Sequence, residues 1–177
     1  KAKLKYHFMK NRFYKQYQSL LENEKLAGLL EANGYELIFY PHYEVQPLIE
    51  CFHINSRNIT IIDRESMELD KLLKDCGLMI TDYSSVAFDF AYMSKPVIYY
   101  QFDREDFECE YGGSYFKHEK DGFGPVVNDE EQVVLMVEAY IRGEFDKDGI
   151  YKDRCRKTFF FFDGDNCKRI YEAIEEV

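Results

Sequence analysis

The sequence is poor in the residues that hold metals or cross-link secreted folds. Its four histidines (His7, His42, His53 and His118) form no HxxxH pair, and its five cysteines (Cys51, Cys76, Cys109, Cys155 and Cys167) form no CxxC. A zinc site or a disulfide framework is therefore not expected, and an odd number of thiols suits reduced cysteines in a cytoplasmic protein. No apolar run approaches the ~20 residues that span a bilayer. The opening KAKLKYHFMK has basic residues but lacks the apolar stretch of a signal peptide. Positive charge is also short: 23 Lys and Arg against 33 Asp and Glu leave a net charge of −10. That balance argues against a nucleic-acid partner, whose phosphates demand a basic face. Tryptophan, internal repeats and low-complexity segments are all absent.

What is present is apolar and aromatic. The 177 residues are 46% hydrophobic, with fifteen Tyr and fifteen Phe. They suit one globular domain, or at most two small ones, with ample material for a core. Charge is unevenly spread, since residues 1–20 hold six Lys and Arg and no acid. This stretch reads as a basic lip on an acidic body.

Helical patterns alternate with short β-branched or aromatic runs. Tyr17, Leu20, Leu21, Leu26, Leu29 and Leu30 recur at helical spacing over residues 13–32, and Asn33-Gly34 supplies a stop. Strands are expected in YELIFY (35–40), NITIID (58–63), LMITD (78–82), VIYYQ (97–101) and PVV (125–127). A helix or turn fits residues 44–53. Further helices are expected after Ser66, after Ser84-Ser85 and over residues 130–142, the last started by Asp129. Strands alternating with helices of about ten residues argue for a parallel sheet covered on both faces. The nearly unbroken apolar runs in LMI and VIYY match strands buried on both sides. The fold class is α/β, a Rossmann-like doubly wound parallel sheet.

Ligands of open parallel sheets bind beyond the carboxyl ends of the strands. Three features are assigned to such ends: Pro41-His42 after YELIFY, Thr81-Asp82-Tyr83-Ser84-Ser85 after LMI, and the loop Asp121-Gly122-Phe123-Gly124-Pro125 before PVV. The second is the most informative, with four hydroxyl-bearing residues in five leading into a helix. Free N–H groups at a helix start and Ser or Thr hydroxyls suit phosphate oxygens. Asp82 would repel a bare phosphate, so it is expected to orient the loop or meet a hydroxyl. The alternative is that Ser84 and Ser85 only cap the helix. An imidazole at His42 can donate to a diphosphate or act as acid or base near neutral pH, or it is simply a surface residue. The DGFGP segment can bring its backbone close to a ligand, or be an ordinary turn. The Phe159–Phe162 run fits core or interdomain packing better than base stacking.

These residues carry a resemblance. ELDKLLKDCGLMITDYSSVAFDFAYMSKPVIYYQFD (68–103) is similar to the signature of the CDP-glycerol:poly(glycerophosphate) glycerophosphotransferase family, the teichoic acid polymerases and primases, which have relatives in capsule synthesis. FYKQYQSLLENEKLAGLLEANGYELIFYPH (13–42) resembles the family stretch that leads to its histidine motif. DGFGPVVNDEEQVV (121–134) and DGDNCKRIYEAI (163–174) also match the family's style. The resemblance covers nearly the whole chain. The motif histidine is often followed by proline, whereas Tyr43 follows it here.

The resemblance implies the C-terminal half of a GT-B type fold, two Rossmann-like domains flanking a cleft. Residues 1–177 are then a single CDP-alditol-binding domain, the acceptor-side N-terminal domain is not in this chain, and the isolated domain is expected to be inactive alone. His42 is implied as the catalytic histidine beside the donor diphosphate. Thr81, Ser84 and Ser85 are implied to hold phosphate, with Asp82 and Asp89 shaping the loop or meeting polar groups of the donor, and Asp121 and Gly122 complete the expected donor-binding set. The implied reaction moves glycerol phosphate, or a related alditol phosphate, from CDP-glycerol or a similar nucleotide donor to a hydroxyl of a lipid-linked polymer acceptor, releasing CMP. No metal and no cofactor is expected. The basic segment 1–20 would meet anionic membrane or polymer at the inner face of the cell membrane, or pair with the absent domain. A nucleotide-sugar GT-B glycosyltransferase and a non-catalytic α/β interaction module are the competing readings.

Overall fold

The computed structural model describes residues 2–112 and 115–176, except for the side chain of Tyr111. Helices α1 (Ala2–Phe8), α2 (Arg12–Leu21) and α3 (Glu24–Asn33) open the chain. The single helical run expected over 13–32 is broken at Glu22-Asn23. The Asn23 side chain accepts a hydrogen bond from the Leu26 N–H at 2.9 Å and starts a new helix there. Asn11 starts α2 in the same way, through the Tyr14 N–H at 2.7 Å. Gly34 ends α3 in the left-handed conformation, φ +69°, as the Asn-Gly pair foretold.

Two parallel ladders follow. Strand β1 (Leu37–Phe39) pairs with β2 (Ile59–Ile61), and a 3-10 turn over Gln46–Cys51 lies between them in sequence. Strands β3 (Met79–Thr81), β4 (Val97–Tyr100) and β5 (Val126–Val127) form the second ladder in that order. Between and after these strands come α4 (Leu69–Asp75), α5 (Val86–Tyr92), α6 (Arg104–Tyr111), α7 (His118–Asp121), α8 (Glu130–Ile141), α9 (Ile150–Thr158) and α10 (Asn166–Glu175). Every pairing is parallel, as expected. The expected sheet is divided into these two ladders, which share one apolar cluster. Within it the Tyr17 ring lies 5.4 Å from Phe39 in β1 and 5.9 Å from Tyr100 in β4.

The central strand shows why the sheet is covered on both faces. Ile98 and Tyr100 point into the large cluster that includes residues of α2, α3 and α8, while Val97 and Tyr99 point the other way, onto Ala87 and Phe90 of α5. All four strand residues are at most 1% exposed. Full burial of such side chains contributes about 1.5–3 kcal/mol each. Two expected caps differ. Asp129 does start α8, accepting the Gln132 N–H at 2.9 Å. Ser66 does not start α4; its N–H and hydroxyl both donate to Asp63, and the helix begins after Glu68. Among the described residues, no helix is long and apolar enough to cross a membrane.

Candidate functional site

Strand β3 delivers Thr81, buried and paired with Tyr99, to the carboxyl edge of its ladder. The partly buried Asp82 comes next. Its carbonyl oxygen accepts from the Gln101 side-chain amide at 3.2 Å, and its carboxylate accepts the Tyr83 N–H at 2.7 Å. Gln101 is only 2% exposed, and its own N–H donates to the Val127 carbonyl. A buried amide at the end of β4 thus ties down the end of β3. The Tyr83 hydroxyl donates to Asp103 at 3.0 Å, and its ring stacks on Phe107 of α6 with centroids 3.6 Å apart. Ser84 Oγ accepts the Val86 N–H at 3.3 Å, so it partly caps α5. Ser85 is exposed and makes no side-chain cap, which leaves its hydroxyl available. Helix α5 has seven residues, so its dipole is small and the hydroxyls weigh more than the sequence implies.

His42 lies at the end of β1, behind buried Pro41, with its side chain 60% exposed. Its Nδ1 accepts the Glu44 N–H at 3.5 Å and sits 3.8 Å from the Glu44 carboxylate. Burial pushes the Asp82 carboxyl above its ordinary value, and Asp103 adds to that rise. The Tyr83 N–H and the charge of His42 pull it back down. His42 therefore stands within electrostatic reach of Asp82. The two ladders bring these ends, 40 positions apart in sequence, to one edge.

Other residues from the sequence do not join them. Asp89 is exposed on α5, and its side chain has no hydrogen-bond partner among the described residues. Asp121 and Gly122 are a correction. A loop that precedes a parallel strand lies at its amino end, and DGFGP precedes β5. Gly124 backs onto the first residue of β4, where an added Cβ would fall 1.5 Å from the Val97 carbonyl oxygen. Gly122 is equally cramped, with a Cβ meeting the His118 carbonyl oxygen at 2.2 Å. The Asp121 carboxylate is occupied by the Lys117 N–H at 2.8 Å. This loop closes the opposite edge from His42 and Thr81.

Several residues at the carboxyl edge escaped the sequence reading. Gln101 and Asp103 fix the loop after β3. Tyr83, Gln101, Arg104, Lys117 and His118 line a small recess beside it. His118 is half-buried 4.8 Å from the Tyr99 ring, and burial, then Arg104, lowers its pKa. Glu130 opens α8 beyond β5, and its Oε2 is buried with no hydrogen-bond partner among the described residues. The signal for the first two was present in QFD, polar residues directly after a fully apolar strand. No group of three His, Cys, Asp or Glu suited to a metal ion occurs among the described residues.

The family model for CDP-glycerol:poly(glycerophosphate) glycerophosphotransferases matches residues 7–176. The chain belongs to this family. The minor teichoic acid biosynthesis protein GgaB of Bacillus subtilis (strain 168) is 33% identical over 170 residues, which span 96% of this chain and 18% of that protein. The teichoic acid poly(glycerol phosphate) polymerase of Bacillus spizizenii is 28% identical over 93% of this chain and 41% of its own length. The solved wall teichoic acid polymerase TagF aligns over 89% of this chain and 39% of TagF, with a TM-score of 0.54 at 19% identity. That likeness shows the fold, a GT-B type architecture. The chain spans less than half the length of these relatives.

Proposed function

We propose that this chain is the donor-binding half of an enzyme that transfers glycerol phosphate, or a related alditol phosphate, from a CDP-alditol to a hydroxyl of a lipid-linked acceptor. The observation that carries the reading is the convergence of exposed His42 with the Thr81–Ser85 loop at one carboxyl edge. The acceptor oxygen attacks the alditol phosphorus and loses its proton, the bond from that phosphorus to the bridging oxygen breaks, and CMP leaves with the electron pair. No covalent enzyme intermediate is needed, so positioning and charge stabilisation carry the rate. His42 donates to the diphosphate as negative charge builds on the leaving CMP. The Ser84 and Ser85 hydroxyls hold phosphate oxygens. Asp82, fixed by Tyr83 and Gln101, faces hydroxyls of the donor rather than its phosphates, and Asp89 shapes the outer rim. Donor binding needs no metal in this scheme, and turnover should survive chelation by EDTA.

The acceptor side belongs to another part of a longer protein. An exposed aromatic and aliphatic face supports this: Phe160 is 84% exposed, and Phe161, Phe162, Ile170, Tyr171 and Ile174 are all open to solvent. In α1, exposed Leu4 and Tyr6 lie among lysines, with the Lys10 ammonium 4.1 Å from the Tyr6 ring centre. That segment suits peripheral contact with the inner face of the cell membrane.

Calorimetric titration with CDP-glycerol, CDP-ribitol and UDP-sugars tests the reading. Saturable binding of a CDP-alditol is expected. Selective binding of a UDP-sugar would move the chain to the nucleotide-sugar transferases, and no nucleotide binding at all would leave an interaction module.

A further inference from the structure

The DGFGP loop, displaced from the donor edge, borders a second depression. An open groove of about 400 Å³ runs between α7 and α9, lined by Lys120, Asp121, Asp153, Arg154, Lys157 and Thr158, with Ile150 at its rim. The recess beside His118 offers only about 20 Å³, room for about one water. Arg154 crosses the groove and donates to the Gly122 carbonyl at 2.9 Å and the Glu119 carbonyl at 2.8 Å, pinning α9 to the end of α7.

Its charges are unevenly satisfied. Asp121 is held by the Lys117 N–H, and Asp153 lies 3.5 Å from the Arg156 guanidinium. Lys120 and Lys157 are exposed and have no ion-pair partner among the described residues. Three cations, Lys120, Arg154 and Lys157, therefore outnumber the two carboxylates, Asp121 and Asp153, around this groove, on a protein of net charge −10. Such local excess positive charge on an acidic body marks the place where an anion is drawn in.

We propose that this groove binds the phosphodiesters of an anionic polymer chain, distinct from the nucleotide donor. A linear chain fits better than a flat lipid surface, because the depression is concave and Ile150 is the one large apolar side chain that lines it. Helix α7 also joins it to the carboxyl edge: Lys117 and His118 line the recess there, and Lys120 and Asp121 line the groove. A chain lying along α7 would thus meet Lys117, Lys120 and Lys157, while Arg104 is already paired with Glu108 and Glu119. The inference rests on the proposed transfer reaction for the identity of the polymer as poly(glycerol phosphate); the charge and shape of the groove do not depend on it.

Fluorescence polarisation with a labelled glycerol phosphate hexamer, alongside calorimetry with CDP-glycerol, tests the groove separately from the donor site. The hexamer should bind the unaltered chain, weakening steeply with added salt. In the double variant Lys120→Gln/Lys157→Gln, hexamer affinity should fall about tenfold while CDP-glycerol affinity is unchanged. Both lysines are exposed, and circular dichroism should match the parent. Hexamer binding equal in parent and double variant, or absent in both, overturns the groove whatever CDP-glycerol does. Absence of CDP-glycerol binding with the hexamer result intact overturns the donor reading alone. Binding to vesicles of about 30% phosphatidylglycerol that is lost in the double variant, with no effect on the hexamer, would assign the lysines to lipid and overturn the polymer groove.

Discussion

At the carboxyl edge of β3 and β4 the chain is held by side chains: the Gln101 amide on the Asp82 carbonyl, the Tyr83 hydroxyl on Asp103, and Ser84 on the start of α5. At the amino edge of β4 and β5 the hold is backbone against backbone, with Gly124 on the Val97 carbonyl and Gly122 on that of His118. The difference separates function from stability. An edge held by side chains leaves exposed groups such as His42 and Ser85 free to act, and changing them does not disturb the core. An edge held by close backbone approach admits only glycine. The first edge is where substitutions should cost turnover, and the second is where they should cost folding.

The sharpest test of that contrast is His42→Ala in the longer protein that contains this chain. Turnover of CDP-glycerol should fall about 10³-fold, the scale of losing a positioned charge-stabilising group. The melting temperature should stay within about a degree, because surface changes of this kind are close to neutral. A collapse of stability together with turnover would erase the distinction. Gly124→Ala should behave in the opposite way. No side chain can occupy a position 1.5 Å from a backbone oxygen, so the β4–β5 junction must shift at a cost of about 3 kcal/mol or more, read as a fall in the urea midpoint. The fraction that remains folded should bind CDP-glycerol as the parent does. Gln101→Leu lies between these extremes. It keeps the volume but strips the Asp82 carbonyl of its partner, at about 1–3 kcal/mol. Donor affinity should fall with it, because the loop after β3 loses its tether; unchanged affinity would show that Tyr83 alone positions Asp82.

Much of this layout was legible in the sequence, for reasons that can be named. LMI and VIYY read as strands because parallel strands buried on both faces have no polar face to alternate with. Thr81, Ser84 and Ser85 stood out because hydroxyls directly after such a strand must lie at its carboxyl end. What was missed followed from geometry that sequence spacing does not encode. The break at Asn23 depends on one side chain reaching a backbone N–H three residues on. The nearness of His42 to Asp82 depends on how two separate ladders meet around Tyr17. The DGFGP loop was assigned to the wrong edge, although its place before β5 already set its end; its glycines answer to the carbonyls of Val97 and His118. Gln101 was hidden because a buried glutamine is recognisable only once its partner, a main-chain carbonyl 19 residues earlier, is known.

The smallest effects come from titration, and the two sides of Tyr83 should titrate with opposite sign. Asp82 has its pKa raised, mainly by burial, so the folded chain holds that proton when the unfolded chain has lost it. Its contribution to stability falls as pH rises from the ordinary carboxyl range to its raised value, and stays flat above that. Asp82→Asn should therefore raise the melting temperature at neutral pH while lowering turnover, a stability gain at the expense of the site. His118 is shifted downward by burial and by Arg104, so the unfolded chain binds the proton first as pH drops. Its contribution is present above its ordinary value near 6.5 and is lost as pH falls towards the lowered value. Urea midpoints at about pH 5 and about pH 7.5 should show the parent weaker in acid and His118→Phe less so. An equal acid loss in the variant would show that the effect does not arise in the recess.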